Sequence, residues 1–245
     1  MESKGTLSIV ATPIGNLEDV THRAVRVLKE ADYILCEDTR VTGKLLAHYG
    51  IKAKLSRYDA HASEKVHEQV LADLGAGKHI ALVSDAGTPG VSDPGVLLVQ
   101  KVRSQNGRLP ALPTGQAGGR QARIDAIPGP SSITAAFSIA GIAGNQFVFL
   151  GFVPQKKGRQ TFFKELLEYD IPVMFLESTH RIMKTLTTLL DVSTNTPIDW
   201  SIVVARELTK MHEEVVRGTA EEVLEYFESH LDHQKGEFVI IVSSP

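Results

Sequence analysis

The chain has 245 residues and a formal net charge of −3; 42% of its residues are apolar and 22% are charged. This composition is typical of a soluble globular protein with one large α/β domain or two smaller ones, and its slight acidic excess argues against long-range attraction to naked nucleic acid. Cys36 is the only cysteine, so an internal disulfide is excluded. Because the N-terminus lacks a signal-peptide core and no apolar run is long enough to span a membrane, we expect a cytoplasmic enzyme or binding protein.

In the first half of the chain, short apolar runs alternate with stretches in which apolar residues recur at helical spacing. The helix expected at Asp93-Pro94 opens with a capping oxygen and a proline at its first position. This alternation predicts an α/β domain with a mostly parallel sheet. The predicted strands are Leu7–Ala11, Tyr33–Cys36, Ile80–Ser84 and Arg123–Ile127, and the predicted helices are Val20–Ala31, Val41–Tyr49, Ser63–Leu74 and Asp93–Arg103.

In the second half, the strands follow one another more closely near the end, which predicts a mixed sheet. Thr219 and Glu222 have the spacing of a capping box. Two domains are therefore predicted, 1–128 and 129–245, divided near Pro128-Gly129-Pro130. The predicted strands are Phe147–Leu150, Val173–Leu176, Ile202–Arg206, Glu214–Arg217 and Phe238–Val242; the predicted helices run from Ser131 or Ser132 to Ala140 and over Gln160–Glu168, Arg181–Leu190 and Thr219–His230.

Three loops rich in glycine and proline each follow a predicted parallel strand. They are the first loop, Thr12–Asn16 (TPIGN), the second loop, Asp85–Gly95 (DAGTPGVSDPG), and the third loop, Pro128–Ser132 (PGPSS). Open α/β sheets bind ligands at the carboxyl ends of their strands, where glycine lets backbone approach a ligand and proline stiffens the loop. One shared binding site is predicted from the three loops together, although each loop alone is more typical of a simple turn.

The content of these loops restricts the ligand. No P-loop pattern occurs, and no G-x-G-x-x-G follows the first strand. The loops contain no lysine or arginine that would neutralise a phosphate. They suit a ligand without phosphates, such as an adenosyl amino acid.

Several longer segments carry a resemblance to a known family. In order, they read VATPIGNLEDVTHRAVRVLKEAD, EDTRVTGKLLAHYGI, ALVSDAGTPGVSDPG, IPGPSS, GFVPQKKG, ESTHR, VVARELTKMHEE and RGT. Together they resemble the ribosomal RNA small subunit methyltransferase I family, of the tetrapyrrole-methylase superfamily, over nearly the whole chain.

The resemblance implies a two-domain α/β fold and dependence on S-adenosyl-L-methionine. It implies methylation of the ribose 2′-oxygen of a cytidine in the decoding region of 16S rRNA, within the small ribosomal subunit. It also implies a homodimer, with the cofactor in the cleft between the two domains. The N-terminal domain would carry the cofactor loops and RNA-facing residues, and the C-terminal domain would complete the cleft.

The resemblance also implies which residues contact the cofactor. Each loop residue has a simpler interpretation as part of a turn or, for Ser131, as a helix start. The implied contacts are Pro13, Ala86, Gly87, Thr88, Val91, Ser131, Ser132, Glu177 and Gly218.

The acceptor side is predicted from two sets of charged residues at strand ends. Glu37–Arg40 follow one strand, and Arg206, Glu207 and Lys210 follow another. Arg40 and Arg206 would clamp the RNA backbone. Glu207 or Lys210 would accept the proton of the ribose hydroxyl, the lysine only if burial lowers its pKa. The alternative for both sets is an ordinary salt bridge.

Three further features are less specific. His180 and Arg181 are weaker candidates for the acceptor side, and Lys156–Arg159 (KKGR) is a local basic patch, with a solvated helix start as its alternative. The histidines form no H-x-x-x-H pair and no cluster with the cysteine, so no metal is predicted.

Two departures from the family pattern leave other functions open. Tyr58–Ala62 (YDAHA) replaces the Tyr-His-x-His-Asn stretch of the family, and Arg108–Ala122 interrupts the path into the strand before the third loop. The alternatives are a tetrapyrrole or diphthine-type methyltransferase of the same fold, or a non-catalytic RNA-binding assembly protein.

Overall fold

The structure, a computed structural model, describes residues 5–105, 122–166, 168–195 and 200–243. The chain divides into two compact units, Met1–Ser131 (unit 1) and Ser132–Pro245 (unit 2). The division lies close to the domain boundary predicted at residue 128, and the functional roles predicted for the two halves stay predictions. The predicted insertion Arg108–Ala122 lies outside the described residues, except for Ala122.

Unit 1 is built on a five-stranded sheet with the order β3-β2-β4-β1-β5, in which every neighbouring pair is parallel. The prediction of a mostly parallel sheet is confirmed. The short strand β3 was not predicted, because LSR contains only one apolar residue. The strands are β1 (Thr6–Val10), β2 (Tyr33–Cys36), β3 (Leu55–Arg57), β4 (His79–Leu82) and β5 (Arg123–Ile127).

Helices cover both faces of this sheet: α1 (His22–Glu30), α2 (Thr39–His48), α3 (Glu64–Gly75) and α4 (Gly95–Gln105). Apolar residues of α1 and α2 share one buried cluster with one side of the strands, and those of α3 and α4 share a second cluster with the other side. This arrangement follows from right-handed crossovers that run in opposite directions along the sheet.

The strands β1 and β4 are neighbours whose connections leave toward opposite faces of the sheet. The chain passes from β1 into α1 on one face and from β4 into α4 on the other. In open α/β sheets this is the point where a crevice forms beyond the carboxyl ends of the strands. The first and second loops lie there, and the third loop follows β5 on the other side of β1.

Unit 2 contains a second five-stranded sheet, with the order β6-β7-β10-β8-β9. The pair β6/β7 is parallel, and the other three pairs are antiparallel, so the predicted mixed sheet is confirmed. The elements are α5 (Ser132–Ile139), β6 (Val148–Phe152), α6 (Arg159–Leu166), β7 (Val173–Ser178), α7 (Ile182–Thr194), β8 (Ser201–Arg206), β9 (Glu214–Gly218), α8 (Ala220–Ser229) and β10 (Glu237–Ser243).

The registers of these strands decide which loops lie at the same edge of unit 2. The carboxyl ends of β6, β7 and β8 lie together, beside the first residue of β10. Because β9 runs antiparallel to β8, its last residue, Gly218, pairs with Ile202 at the opposite edge. The core between helices and sheet is aromatic and includes Phe163, Phe175 and Phe227.

Local capping explains where two helices begin. The carboxylate of Asp38 accepts a hydrogen bond from the Arg40 N–H, so α2 begins at Thr39, two residues before its predicted start. The capping box of α8 is confirmed, with Thr219 and Glu222 each bonding the other's backbone. Among the described residues, no helix has the length and apolarity that crossing a membrane requires.

Candidate active site

The first and second loops are joined through their backbones. The Thr12 N–H donates to the Gly87 carbonyl at 2.9 Å, and the Gly87 N–H donates to the Thr12 carbonyl at 3.0 Å. Gly87 has a φ of 78°, a conformation that residues with a side chain rarely adopt. A glycine is therefore needed where the two loops meet.

Two buried hydroxyl groups, those of Thr12 and Ser84, form further hydrogen bonds at the base of this junction. The Thr12 hydroxyl donates to the Ser84 carbonyl at 3.3 Å, and the Ser84 hydroxyl lies 3.1 Å from the Ala86 carbonyl. Both Thr12 and Ser84 are buried at the ends of their strands. The second loop is thus fixed at its base by polar groups that are themselves satisfied.

The third loop joins the same junction. The Thr88 hydroxyl donates to the Pro130 carbonyl at 3.1 Å. A Cβ atom on Gly129 would lie 3.0 Å from the Ala11 Cβ, and one on Gly87 would lie 3.4 Å from Ile14 and 3.8 Å from the Pro130 carbonyl oxygen. All three loops therefore meet around Gly87, and each close approach depends on a missing side chain.

The second half of the second loop is held by its own aspartate. The Asp93 carboxylate accepts hydrogen bonds from the N–H groups of Gly90 and Gly95, at 2.7–2.9 Å. This bonding delays the start of α4 to Gly95, one residue after the predicted proline. Val91, within the closed loop, stays largely exposed.

The residues after β2 are connected to the second loop as well. The Asp38 N–H donates to the Asp85 carboxylate at 3.1 Å. The Asp38 carboxylate in turn binds the Arg40 guanidinium, with a shortest distance of 2.6 Å, and this hydrogen bond lowers the pKa of Asp38. The Arg40 side chain remains 86% exposed, so its charge is accessible to a ligand.

Glu37 lies in the chain between the end of β2 and the ion pair of Asp38 with Arg40, and it is partly buried. Burial raises the pKa of its carboxyl group, and the nearby carboxylates of Asp93 and Asp85 raise it further. A raised pKa makes a carboxylate a stronger proton acceptor. The pKa of the neighbouring Asp38 is shifted in the opposite direction, since its hydrogen bonds with Arg40 lower it.

In unit 2, Arg206 is buried at the end of β8. Its guanidinium donates to the carbonyl groups of Lys235 at 2.7 Å and His212 at 3.1 Å, and it lies 3.5 Å from the Glu214 carboxylate. Arg206 therefore ties the turn between β8 and β9 to the segment before β10, and these internal contacts use the donors that the predicted RNA clamp would need.

Glu207 and Lys210 form an ion pair in the same turn, with Nζ 2.9 Å from Oε1. Burial raises the pKa of Glu207, but hydrogen bonds from Lys210 and from the Glu237 N–H outweigh it and leave the pKa lowered. Burial likewise lowers the pKa of Lys210, but hydrogen bonds to Glu207 and Glu237 leave it raised. The condition under which Lys210 was predicted to accept a proton is not met, and Glu207 is a weakened base.

The backbone of this turn is also unusual, since Glu207 and Thr209 have positive φ values of 48° and 65°. Such conformations cost about 1–3 kcal/mol each for residues with a side chain. The Glu207 side chain packs against Gly236, where any Cβ would lie only 2.6 Å from it. Packing and ion pairing thus hold the turn in one conformation.

Glu177, at the end of β7, is the most buried charged residue of this edge. Its side chain has no exposed surface, and its carboxylate lies 2.9 Å from the Arg181 guanidinium and 3.7 Å from that of Arg159. It also accepts the Thr185 hydroxyl at 2.7 Å. The carboxylate therefore has internal partners, and its predicted contact with a cofactor stays a prediction.

Comparison with known proteins places this geometry in a family. Residues 6–224 match the family described as Tetrapyrrole (Corrin/Porphyrin) Methylases. A protein of Thermotoga maritima named "Ribosomal RNA small subunit methyltransferase I" is 38% identical over 98% of both chains. Proteins of the same name from Halalkalibacterium halodurans and Escherichia coli O157:H7 are 43% and 40% identical; each match covers 98% of this chain, and 76% and 78% of the relative. The chain belongs to the ribosomal RNA small subunit methyltransferase I family.

Solved structures confirm the fold of the superfamily. The cobalt precorrin-4 methyltransferase CbiF has a TM-score of 0.66 at 18% identity, covering 98% of this chain and 95% of its own. A putative diphthine synthase from Entamoeba histolytica has a TM-score of 0.63 at 16% identity, covering 98% and 92%. The predicted tetrapyrrole-methylase-like fold with two α/β units is confirmed.

Within this family fold, the structure brings some predicted residues together and separates others. The predicted cofactor residues of unit 1 all lie in the three joined loops. In unit 2, Glu177 and Gly218 lie at opposite edges of the sheet. Arg206, Glu207, Lys210, His180 and Arg181 lie at the same edge as Glu177. Ser132 is the first residue of α5.

The altered family stretch after β3 has a structural explanation for one residue. Tyr58 is 1% exposed, and its hydroxyl lies 3.1 Å from Nε2 of His67. Burial raises the pKa of Tyr58 to about 12, so the phenol stays neutral. His61 is exposed, and its N–H donates to the Asp59 carboxylate at 2.9 Å. Tyr58 is part of the core, whereas the His61 side chain is accessible to solvent.

Sequence reasoning missed two polar residues, His67 and Asp85, and the hydrogen bonds that the Asp93 carboxylate accepts within its own loop. The signal for Asp93 was present, since an aspartate two residues before a glycine is typical of a turn that bonds its own backbone. The roles of Asp85 and His67 depend on partners 47 and 9 positions away in the chain.

A groove of about 460 Å³ lies near the amino ends of β1, β4 and β5, far along the strands from the three loops. Two of its arginines are paired with carboxylates of the same groove: Arg26 with Glu30 at 3.3 Å, and Arg123 with Asp125 at 2.5 Å. None of the predicted site residues lines it. The groove is separate from the candidate active site.

Proposed function

We propose that this protein transfers a methyl group from S-adenosyl-L-methionine to the ribose 2′-oxygen of a cytidine in 16S rRNA, in the decoding region of the small ribosomal subunit. Family membership supports an rRNA substrate. The observation that carries the proposal is the junction of three loops without lysine or arginine around Gly87. It lies beyond the carboxyl ends of the neighbouring strands β1 and β4. A cytoplasmic location and a homodimer belong to the proposal by resemblance.

The residues present fit this cofactor. The loops offer backbone groups at positions where glycine allows close approach, and they carry no cationic side chain. A cofactor with a positively charged sulfonium and no phosphate needs none, and the carboxylates of Glu37 and Asp85 at the same edge favour a cation. When bound, the cofactor supplies the activated methyl group. The residues that would hold it are Pro13, Ala86, Gly87, Thr88, Val91, Ser131 and Ser132, with Glu177 and Gly218 from unit 2.

A ribose hydroxyl is a weak nucleophile, so a base that removes its proton accelerates the transfer. Among the predicted candidates, Lys210 is held protonated and Glu207 is weakened as a base. We assign the role to Glu37, which lies beside the second loop and whose pKa is raised by burial and by Asp93 and Asp85. The proton passes from the 2′-hydroxyl to the Glu37 carboxylate.

Arg40 is the residue of unit 1 best suited to hold the RNA backbone. Its guanidinium is mostly exposed and is kept in place by two hydrogen-bonded oxygens of Asp38. A fixed guanidinium matches a phosphate better than a mobile one, because less side-chain freedom is lost on binding. In this proposal Arg206, Glu207 and Lys210 support the site by holding the β8–β9 turn.

The alternatives are a methyltransferase of the same fold that acts on a tetrapyrrole or on diphthine, and an RNA-binding protein without activity. The fold is shared with a cobalt precorrin methyltransferase and a putative diphthine synthase, but at such low identity the likeness shows the fold alone. A binding protein without activity would keep the fold but need no base. The raised pKa of Glu37 at the edge of the joined loops favours an enzyme.

The test is methyl transfer from labelled S-adenosyl-L-methionine. The acceptors, offered in parallel, are small subunits lacking the modification, free rRNA, a tetrapyrrole and the elongation factor that carries diphthine. We expect label in the rRNA of the subunits, at a position resistant to alkaline cleavage, which a 2′-O-methyl group confers. Label on the tetrapyrrole or the elongation factor would overturn the proposal, and binding of subunits without transfer would support the assembly protein.

A further inference from the structure

Two loops at the carboxyl edge of unit 2 concentrate positive charge. Residues 153–160, which follow β6 and reach the start of α6, and residues 177–184, which run from the end of β7 into α7, contain five lysines and arginines and one acidic residue, a balance of +4. The whole chain has a net charge of −3. Since β6 and β7 are parallel neighbours, the two loops lie side by side. Their cations are Lys156, Lys157, Arg159, Arg181 and Lys184, and their one acidic residue is Glu177.

The cations in these loops have two different environments. Arg159 is 8% exposed, with its guanidinium over the ring of Phe163 at 5.2 Å and bonded to the Thr185 hydroxyl at 2.8 Å. Lys156 and Lys157 are exposed. The predicted basic patch therefore consists of two exposed lysines and a buried arginine.

The buried Arg159 and the partly buried Arg181 fix the course of the loop that carries the lysines. Arg181 donates to the Val153 carbonyl at 2.8 Å, at the start of the loop, and binds Glu177 at 2.9 Å. At the other end, the Arg159 N–H lies 3.4 Å from the Lys156 carbonyl, and the Arg159 side chain reaches the same glutamate. Glu177 is thus connected to both ends of the loop, through Arg181 at its start and through Arg159 at its end.

The charges of this anchor do not cancel. The guanidiniums of Arg159 and Arg181 share the carboxylate of Glu177, so one positive charge is not neutralised within this cluster. Charge held in a rigid, partly desolvated setting is less screened than charge on mobile side chains. These two segments therefore present fixed positive charge to solvent, which complements a polyanion; the exposed carboxylate of this edge, Glu237, is paired with Lys210 at 3.1 Å.

We propose that the loop of residues 154–158, together with Arg181, docks the phosphate backbone of the RNA substrate, and that Glu177 is the positioning residue of this surface. The proposal rests on the proposed function for its choice of RNA. Phosphate contacts orient an RNA without reading its sequence, so this surface would set the pose and leave nucleotide choice to other residues.

The first test is the salt dependence of RNA binding. The double variant Lys156→Gln/Lys157→Gln removes two charges without touching the buried anchor. We expect weaker binding to the small subunit, and a slope of log affinity against log salt that is smaller by about 1.4, at roughly 0.7 for each lost contact with single-stranded RNA. The matched control is Lys52→Gln/Lys54→Gln, which removes two exposed lysines of unit 1.

The outcomes separate this proposal from the proposed function. If the double variant keeps the slope of its control, the docking surface is refuted even though the wild type methylates RNA. If the wild type methylates another substrate, the proposed function fails first, and this surface fails with it. Calorimetric affinity for S-adenosyl-L-methionine should be the same in the double variant, the control and the wild type.

A second test concerns Glu177. In Glu177→Gln, the amide hydrogens of residues 155–159 should exchange faster, and KM for the subunit should rise several-fold more than kcat falls. A purely structural role would change stability without this split between KM and kcat. Unchanged exchange in the loop, with KM at its wild-type value, would overturn the positioning role. Because the double lysine variant keeps the anchor, it tests the docking surface even if Glu177→Gln folds poorly.

Discussion

The carboxyl edges of the two sheets are built in different ways. In unit 1, three loops meet through backbone hydrogen bonds and hydroxyl groups, with glycines at the closest approaches. In unit 2, the corresponding edge is fixed by charged side chains: Glu177 with its two arginines, Arg206 with three segments, and Glu207 with Lys210.

The two edges suit different kinds of ligand. Backbone groups on stiff loops suit a compact cofactor, because they form a neutral surface of fixed shape. Fixed cations suit an extended polyanion, because its phosphates are recognised by charge. Ion pairing and packing also hold two non-glycine residues of unit 2 at positive φ, a conformation that unit 1 gives only to glycines among its described residues.

The largest expected effect is on catalysis, at Glu37. The variant Glu37→Gln keeps the shape of the side chain but cannot accept a proton, so kcat should fall about 10²–10⁴-fold. A base acts when it is deprotonated, so wild-type kcat/KM should increase with pH as Glu37 loses its proton. The midpoint of this increase should lie above about 4.3, the ordinary pKa of glutamate, because the pKa of Glu37 is raised.

The control for this variant is Asp38→Asn, which removes an equal charge one residue away. It should keep the rise of kcat/KM with pH. If Glu37→Gln also keeps this rise, the base lies elsewhere.

The next effect tests the charged edge of unit 2 through stability. Glu177→Gln leaves the buried Arg159 and the partly buried Arg181 without their carboxylate, and it should cost about 3–5 kcal/mol of unfolding free energy. Glu30→Gln, in the exposed pair with Arg26, should cost at most about 1 kcal/mol. Urea denaturation measures both; equal losses would show that the Glu177 network adds nothing through burial.

The loop junction of unit 1 gives a smaller change in stability but a selective change in binding. Gly87→Val adds a branched side chain at a φ of 78°, against Ile14 and the Pro130 carbonyl, at a cost of about 1–3 kcal/mol. Calorimetry should show a loss of affinity for S-adenosyl-L-methionine of roughly a hundredfold or more.

The matched control is Gly50→Val. Gly50 also has a positive φ, of 61°, but nothing lies within 4 Å of a Cβ placed there. It should lose comparable stability and keep cofactor affinity. Wild-type affinity in Gly87→Val would contradict the assignment of the loops.

The smallest effect concerns Glu207. Its pKa is lowered in the folded state, so its ionised carboxylate stabilises the fold above the unfolded value of about 4.3, and this contribution is lost as pH falls through the lowered folded value. Glu207→Gln should therefore be less stable than the wild type at pH 7, by about 1 kcal/mol or less. The difference should shrink toward pH 3; a difference that grows on acidification would show that the ion pair with Lys210 is not its source.

Much of the fold could be read from the sequence, since apolar periodicity and glycine-proline loops are local signals. The three loops were found because each directly follows an apolar strand. The strand β3 was missed because it is three residues long with one apolar side chain. The start of α2 was placed late because the capping role of Asp38 was not used.

The charged edge of unit 2 could not be read in the same way. Glu177 is paired with Arg159, 18 positions earlier, and Arg206 binds carbonyl groups as far as Lys235. Whether such a residue faces a ligand or its own chain depends on tertiary contacts, which the residue type does not reveal. The pKa shifts of Glu37, Glu207 and Lys210 have the same origin.

Amide hydrogen exchange with and without S-adenosyl-L-methionine tests the central claim most directly. We predict that the cofactor slows exchange at the amides of residues 12–16, 85–91 and 129–132, with a much smaller change in the loop after β6. Protection confined to unit 2, or to the groove at the amino ends of β1, β4 and β5, would contradict the account.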